Sequence, residues 1–460
     1  MDSKFPGSNA IITRIKFPGG TRMKKILVLI FVLSLPISTI ALNLNESIKV
    51  ATENNPSVIA AKKSLDGANS QVFQATGAYF PTVQIDASAG TIYSKPYQVE
   101  FTTTVGTVSS TQRFTTGVDP NLPTRNLDFK LVQPVFTGGK LSSSLSIAKK
   151  NYDMALETLK ETILSVKFDT TKAYYAVIKA EKLVELSSQS YARAQNLLEK
   201  TNTMFSSGTS TKADVLRAEV QLINAEINIT KSKNDLIIAR NTLNNALGYS
   251  FDDKLKVEYS DFSCTVELLP PYEGILKTAY ENRSDWKKFK LTKESAEENL
   301  KVKKSDLFPS VMLVGTYNTA YTQYPTYATD INSWSALATA SWNILDVKLY
   351  GKINEASANL SVQEANETAI KNNIALEIRN AYSDLKSAQE TIASATKALS
   401  LAEENYKVAS IRYSAGVGMN LEVIDAEVAL TQARLDDLNT QFSLKIAKAK
   451  LNKLVGKEII

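Results

Sequence analysis

Two copies of one sequence pattern account for most of this 460-residue chain. The stretch 205–219 aligns without a gap with 413–427, at a constant offset of 208 residues. Upstream, Phe80 matches Phe308 at an offset of 228 residues, and the difference between 228 and 208 leaves 20 extra residues in the first copy before Gln133. A chain of this kind must fold as two similar halves, with one insertion in the first.

The repeat divides the chain from residue 42 onward into two homologous halves, a polar connector and a short tail. We place these parts at 42–248 and 271–456 for the halves, 249–270 for the connector and 457–460 for the tail.

Each half contains a long heptad pattern. Apolar and small residues recur at alternating spacings of four and three from Leu159 to Phe205 and again from Ile374 to Tyr413. Such spacing predicts helices that pack as coiled coils. A helix over about 140–205 would be roughly 100 Å long, which no single globular core of this chain could bury.

Two shorter helices flank each long one. A return helix of about 35 residues follows a turn at Gly208 in the first half and at Gly416 in the second. A first helix of about 35 residues should end at Phe80 and at Phe308, because the proline that follows each phenylalanine stops the helical ladder. Core packing is the simplest role for the apolar seams of these helices.

Two segments with alternating apolar side chains follow the first helix of each half. Alternation of this sort predicts strands with two unlike faces, about four strands in all. The alternating positions are Val83, Ile85, Ala87 and Ala89, then Leu127, Phe129 and Leu131 in the first half, and Val311, Leu313, Gly315 and Tyr317, then Trp334, Ala336, Ala338, Ala340 and Trp342 in the second.

The composition excludes several kinds of active site. There is no histidine and only one cysteine, Cys264, which excludes imidazole and thiolate metal sites, histidine-dependent nucleophilic centres and intrachain disulfides. The 53 Lys and Arg and 47 Asp and Glu residues are mixed along the chain, giving a formal net charge of +6 without a basic stripe for nucleic acid. We expect no enzyme, no metal, no cofactor and no nucleic-acid partner, although a carboxylate-dependent enzyme stays open.

The N-terminal region predicts export. A short basic region, the apolar run Ile26–Leu35 and small residues up to Ala41 make 23–41 a secretory signal peptide. Residues 1–22 precede a good start methionine and are interpreted as an over-extended start. Beyond Ala41 no apolar run approaches the roughly 20 residues of a membrane helix, so any membrane span of the exported chain must be built from strands.

Four strands per chain cannot close on themselves in lipid. An open sheet edge leaves backbone donors and acceptors unpaired there, and membrane barrels begin at about eight strands. Several chains would therefore have to pool their strands into one barrel, from which the coiled coils project as a tube.

The same residues resemble the TolC-like outer membrane efflux proteins over about 42–456. The segments that carry the resemblance are the Phe-Pro pairs at 80–81 and 308–309, the run Gln-Pro-Val-Phe-Thr-Gly-Gly at 133–139 and the two turns at 205–215 and 413–426. The resemblance implies a mainly α protein with a membrane β-barrel portion, in which duplicated coiled-coil helices and β-hairpins form a trimeric α/β barrel with twelve shared strands. It also implies an exit channel in the outer membrane that contacts lipid, extends into the periplasm, and docks on a periplasmic adaptor linked to an inner-membrane pump. The second strand exit, 344–351, lacks the Gly-Gly pair.

The resemblance assigns a periplasmic gate to the two helical turns. It implies that Tyr413 ties neighbouring coils together with Asp214 as its acidic partner, and that Glu422 and Asp425 form acidic rings. Three chains would bring three copies of each carboxylate around one axis, which favours cations in the mouth. The alternatives are that Asp214 caps the return helix, and that Glu422 and Asp425 are solvated acids favoured by a helix N-terminus.

The tip glycines, Gly208 and Gly416, are the expected docking turns for the adaptor. The family pattern has an arginine two residues after the tip glycine, and here that position is Gly418. We therefore expect a mouth held more loosely, by Tyr413 and packing. A different class of function, a periplasmic coiled-coil tether of the envelope without a conducting lumen, remains as the alternative.

Overall fold

A computed structural model of the chain describes residues 41–93, 97–116, 121–249, 256–257, 269–324 and 327–458. The over-extended start and nearly all of the signal peptide predicted above lie outside these residues, as does most of the connector.

The described chain contains eight helices. The helices are α1 (Leu44–Asn54), α2 (Pro56–Gly77), α3 (Lys140–Ser206), α4 (Lys212–Leu247), α5 (Tyr272–Asn282), α6 (Ser284–Ser305), α7 (Val347–Ser414) and α8 (Asn420–Val455). α3 and α7 have 67 and 68 residues, and α4 and α8 have 36 each. The long helices and return helices predicted from the heptads are thus confirmed.

The single first helix predicted for each half is wrong. In the first half the helix breaks at Asn55, whose extended backbone separates α1 from α2 and whose side chain accepts a hydrogen bond from the Ser57 amide at 2.9 Å. Pro56 begins α2, where its missing N–H costs nothing. In the second half the break falls at Arg283, which has no proline beside it to signal it.

The eight strands of the described residues form three sheets. The strands are β1 (Ala41–Leu42), β2 (Thr82–Ile92), β3 (Tyr97–Val105), β4 (Val108–Thr116), β5 (Leu122–Phe136), β6 (Lys256–Val257), β7 (Ser310–Gln323) and β8 (Ala328–Ser341). The four predicted strands make one antiparallel sheet in the order β2-β5-β7-β8, so the two halves meet at the β5–β7 pair. β1 and β6 pair separately in parallel.

The insertion in the first half is a β-hairpin. β3 and β4 pair with each other from Tyr97 opposite Thr116 to Val105 opposite Val108. The hairpin therefore occupies the stretch in which the repeat comparison requires the extra residues, and the second half connects β7 to β8 directly.

The strand register separates apolar and polar side chains onto opposite faces of the main sheet. One row across all four strands consists of Ile85, Phe129, Tyr317 and Trp334. The next row, on the other face, consists of Asp86, Asp128, Asn318 and Ser333. Side chains in the apolar row are 37–78% exposed, so none of the described residues covers this face fully.

The two larger hydrophobic cores lie where the short helices pack on the long hairpins. In the first half, α1 and α2 cover fully buried side chains of α3 and α4, including Tyr174, Ile178 and Leu247. In the second half, α5 and α6 cover Ile378 of α7 and Leu451 of α8 in the same way. Among the described residues, no helix combines the length and apolar character that crossing a membrane would require.

Candidate functional site at the hairpin tips

The two helical hairpins end in similar glycine turns. Gly208 follows α3 with φ +78°, and Gly416 follows α7 with φ +73°. Each glycine amide donates to a carbonyl three residues back, Phe205 at 3.0 Å and Tyr413 at 3.0 Å. Left-handed backbone of this kind favours glycine, which is why the sequence marks both turns. Their role in adaptor docking stays a prediction.

A buried polar network joins the two tips. The hydroxyls of Tyr413 and Thr201 lie 2.9 Å apart, and the Asn420 amide donates to Thr201 Oγ1 at 3.1 Å and to the Asp214 carbonyl at 3.3 Å. Tyr413 is 5% exposed, Thr201 0% and Asn420 3%. The network connects α3 and α4 with α7 and α8 in one layer beneath the turns.

The Asp214 side chain forms hydrogen bonds within its own hairpin. Its carboxylate accepts hydrogen bonds from the amide and hydroxyl of Thr211 at 3.2 and 2.7 Å, while Thr211 Oγ1 accepts from the Asp214 amide, which is a capping box. The hydrogen bond from the Thr211 hydroxyl holds the pKa of Asp214 below its usual range. Within the described chain Asp214 and Tyr413 are not paired, because Thr211 takes the carboxylate and Thr201 takes the phenol.

The other two predicted acids lie at the start of α8. Glu422 is in the first turn and its carboxylate is 3.5 Å from Arg412 Nη1. Asp425 is exposed, one turn further along, and no described residue bonds to its carboxylate. The N-cap residue of α8, Met419, makes no side-chain capping hydrogen bond.

The turn geometry explains the glycine at position 418. A Cβ there would lie 2.9 Å from the Tyr413 nitrogen and 3.1 Å from the Arg412 carbonyl carbon. The amides of Val417 and Gly418 both donate to the Arg412 carbonyl, which closes the turn tightly. An arginine at position 418 would need a different turn, and the arginine that this tip does contain pairs with Glu422.

A buried ion pair that was not predicted from the sequence lies behind the tips. Glu427 of α8 is 3% exposed and accepts from Arg193 Nε of α3 at 2.7 Å and from the Ser190 hydroxyl at 2.9 Å. The Arg193 guanidinium lies 5.8 Å from the centre of the Tyr406 ring on α7. Burial, together with the Glu427 charge, raises the pKa of Tyr406.

The repeat could not have revealed this pair. Glu427 matches Glu219 in the first copy, which is exposed on α4. A signal does exist in the seven-residue spacing of Asn420, Glu427 and Arg434, three polar residues at one heptad position. Within the described ranges, no group of His, Cys, Asp and Glu side chains has the arrangement of a metal site.

Comparison with known proteins agrees with this architecture. The curated relatives include the outer membrane protein TolC of Escherichia coli, 26% identical over 204 residues, which is 44% of this chain and 40% of that protein. The TolC of Vibrio cholerae is 21% identical over 427 residues, 90% of each chain. For the Escherichia coli protein and two further curated relatives, the aligned region spans only about two fifths of the length of the relative.

Solved structures show the same fold. The Campylobacter jejuni CmeC outer membrane channel superposes with a TM-score of 0.75 at 16% identity, covering 90% of this chain and 86% of that one. The Vibrio cholerae outer membrane protein VceC gives 0.72 at 18% identity, covering 90% and 96%. The model of the outer membrane efflux protein family matches residues 47–249 and 275–457. Since these two segments make up most of the chain, the protein belongs to the outer membrane efflux protein family.

Proposed function

We propose that this protein is the outer-membrane exit channel of a tripartite efflux or type I secretion system. It is a passive duct, without catalysis or cofactor, fed by an inner-membrane pump through a periplasmic adaptor. Membership of the family supports this function, and the main sheet is the observation of the chain's own geometry that carries it.

The main sheet has the two faces that a channel wall needs. Its apolar row, represented by Phe129 and Trp334, is exposed in the single chain, as expected for a surface that faces lipid. Its polar row, represented by Asp128 and Asn318, which are hydrogen-bonded to each other, suits a water-filled interior. A periplasmic tether without a lumen would leave the apolar row exposed to water.

The edges of the sheet support assembly from several chains. β2 and β8 each have a strand neighbour on one side only among the described strands. In lipid those edges need partners, and β2 of one chain can pair with β8 of the next. Three copies of four strands make the twelve-stranded barrel of a homotrimer.

A second apolar seam on α4 supports the same assembly in the helical part. Leu216, Val220, Ile223 and Ile227 are spaced by four, three and four residues and are 46–58% exposed. This seam is separate from the one that packs on α3, which includes the buried Val215 and Ala218. A second heptad seam suits a helix that packs between two neighbours, so α4 would contact the adjacent chain.

The hairpin tips form the periplasmic mouth in this proposal. Tyr413 holds the second hairpin against the first through Thr201, and Asp214 stabilises the start of α4. Glu422 and Asp425 contribute carboxylates near the axis, while the turns at Gly208 and Gly416 face the adaptor.

Conductance tests this function directly. The protein purified from outer membranes should run as a detergent-stable trimer and form ion channels in planar bilayers. A stable assembly without conductance would favour the tether, and a soluble monomer without pore activity would overturn both the channel and its assembly.

A further inference from the structure

Three polar residues of α8 bind the first hairpin at intervals of one heptad. Asn420 donates to Thr201 of α3, Glu427 accepts from Arg193 of α3, and Arg434 donates to Gln189 of α3 at 2.9 Å. The layers continue along the coiled coil away from the tip. Polar residues at a heptad position fix the register of the helices that they join.

The middle layer is the one of the three in which side chains of opposite charge pair between α3 and α8. The Glu427 and Arg193 side chains are 4% and 19% exposed, whereas the Glu403 partner of Arg434 is 49% exposed. The Glu427 carboxylate uses both oxygens, one on Arg193 and one on the hydroxyls of Ser190 and Thr431, at 2.9 and 3.3 Å. Both charges are therefore paired only while α8 stays in this position against α3.

The layer at the tip, formed by Asn420, Thr201 and Tyr413, is less completely hydrogen-bonded than the middle layer. Its bonds join neutral groups, and the Oδ1 atom of Asn420 is buried without a partner among the described residues. Neutral hydrogen bonds contribute less than charge-assisted ones. The tip also has no room for an arginine at Gly418.

We propose that the Glu427–Arg193 pair is the principal latch of the second hairpin and keeps the periplasmic mouth narrow from behind the tip. This inference rests on the channel function proposed above. Moving α8 away from α3 to widen the mouth would break the charge-assisted bond between Arg193 and Glu427. Charge-assisted hydrogen bonds are roughly twice as strong as neutral ones, so the pair favours the narrow arrangement.

Single substitutions in the reconstituted trimer test the latch. Glu427→Gln and Arg193→Met should each raise the open fraction of the resting channel at least about tenfold, because the narrow state loses its charge-assisted bond. The double variant should open no further than either single variant, because both remove one interaction. Glu219→Gln is the matched control, since it changes the repeat-equivalent exposed glutamate, and it should leave the open fraction unchanged.

A distance measurement separates a latch from a role in folding. In a Cys264→Ser background, spin labels at position 417 on the three subunits should move apart in Glu427→Gln while the thermal stability of the trimer changes little. If Glu427→Gln does not assemble, Arg193→Lys is the variant to measure. It keeps the positive charge but loses the planar contact with Tyr406. It should show the same increase in label distance to a smaller extent.

Two results must be kept apart. A wild-type trimer that does not conduct overturns the channel function itself. A wild-type trimer that conducts, with wild-type open fraction and label distances in both Glu427→Gln and Arg193→Met, overturns the latch alone, as does an equal effect of Glu219→Gln.

Discussion

At the residue scale, two glycines share a backbone conformation but differ in surroundings. Gly208 and Gly248 both have φ +78°. A Cβ at Gly208 would meet no atom within 4 Å, whereas one at Gly248 would lie 2.7 Å from the carbonyl oxygen of Asn54, at the break between α1 and α2. Gly456 makes the equivalent approach to Asn282 in the second half.

Substitution by alanine should therefore cost different amounts of stability at Gly208 and at Gly248. Gly208→Ala should cost about 1 kcal/mol of stability from left-handed backbone strain alone. Gly248→Ala should cost a further ~1–3 kcal/mol because the added methyl group collides with backbone that cannot move freely. Unfolding of the helical signal in detergent measures the difference, and equal losses would show that the approach to Asn54 is not tight.

At the element scale, the hydrogen bond between the two tips identifies the working partner of Tyr413. Tyr413→Phe and Thr201→Val should each destabilise the tip by about 1–2 kcal/mol, because each removes the buried hydrogen bond between the two hydroxyls. The double variant should cost little more than one of them.

Asp214→Ala, in contrast to Thr201→Val, should act independently of Tyr413→Phe. It removes the capping box of α4 and should cost about 1 kcal/mol, adding to the effect of Tyr413→Phe instead of overlapping with it. Stability and single-channel conductance of the six proteins in these two cycles are the measurements. Overlap between Tyr413 and Asp214, with simple addition for Thr201, would restore the family pairing of the phenol with the acid.

Elements were predictable where the local pattern is strong. The heptads specified α3 and α7 because a seam maintained over dozens of residues is stable only as a helix packed on another. The break at Asn55 was missed even though Pro56 marks it, and the break at Arg283 has no local signal. Arg283 is instead held by ion pairs with Asp285 and Glu377, at 2.6 and 2.7 Å, and only the second of these residues lies far away in sequence.

At the scale of the whole molecule, the acidic residues of the mouth should affect divalent cations. Glu422 is partly neutralised by Arg412, whereas Asp425 has no such neighbour among the described residues. Three copies of an unpaired carboxylate around one axis attract cations more strongly than three paired ones. Asp425→Asn should therefore relieve block by divalent cations more than Glu422→Gln, and the double variant most.

Block of single channels by Mg²⁺ or Ca²⁺ at fixed voltage measures this effect. Glu404→Gln, which neutralises an exposed acid of α7 away from the tip, serves as the control. Unaltered block in the double variant would exclude an acidic ring at the mouth.

The two faces of the main sheet predict opposite consequences for one added charge. Trp334→Lys places a charge on the face proposed to meet lipid, at a cost of up to ~2–4 kcal/mol near the bilayer midplane, and should reduce the yield of trimers in the outer membrane. Ser333→Lys places the same charge on the polar face and should preserve assembly while shifting ion selectivity. The amount of membrane-inserted trimer and the reversal potential in a salt gradient report the two effects. Equal yields would contradict the assignment of the faces.

The sequence by itself determined the duplicated architecture, the long hairpins with their glycine turns and the alternation of the strands, because each depends on periodicity or on the backbone needs of one residue. Only the tertiary structure decided which polar residues act together. Glu219 and Glu427 occupy the same position of the repeat, yet one is exposed on α4 and the other is buried against Arg193. Burial and pairing depend on which helix of the other half lies alongside, and residues more than 200 positions apart meet only when the chain is folded.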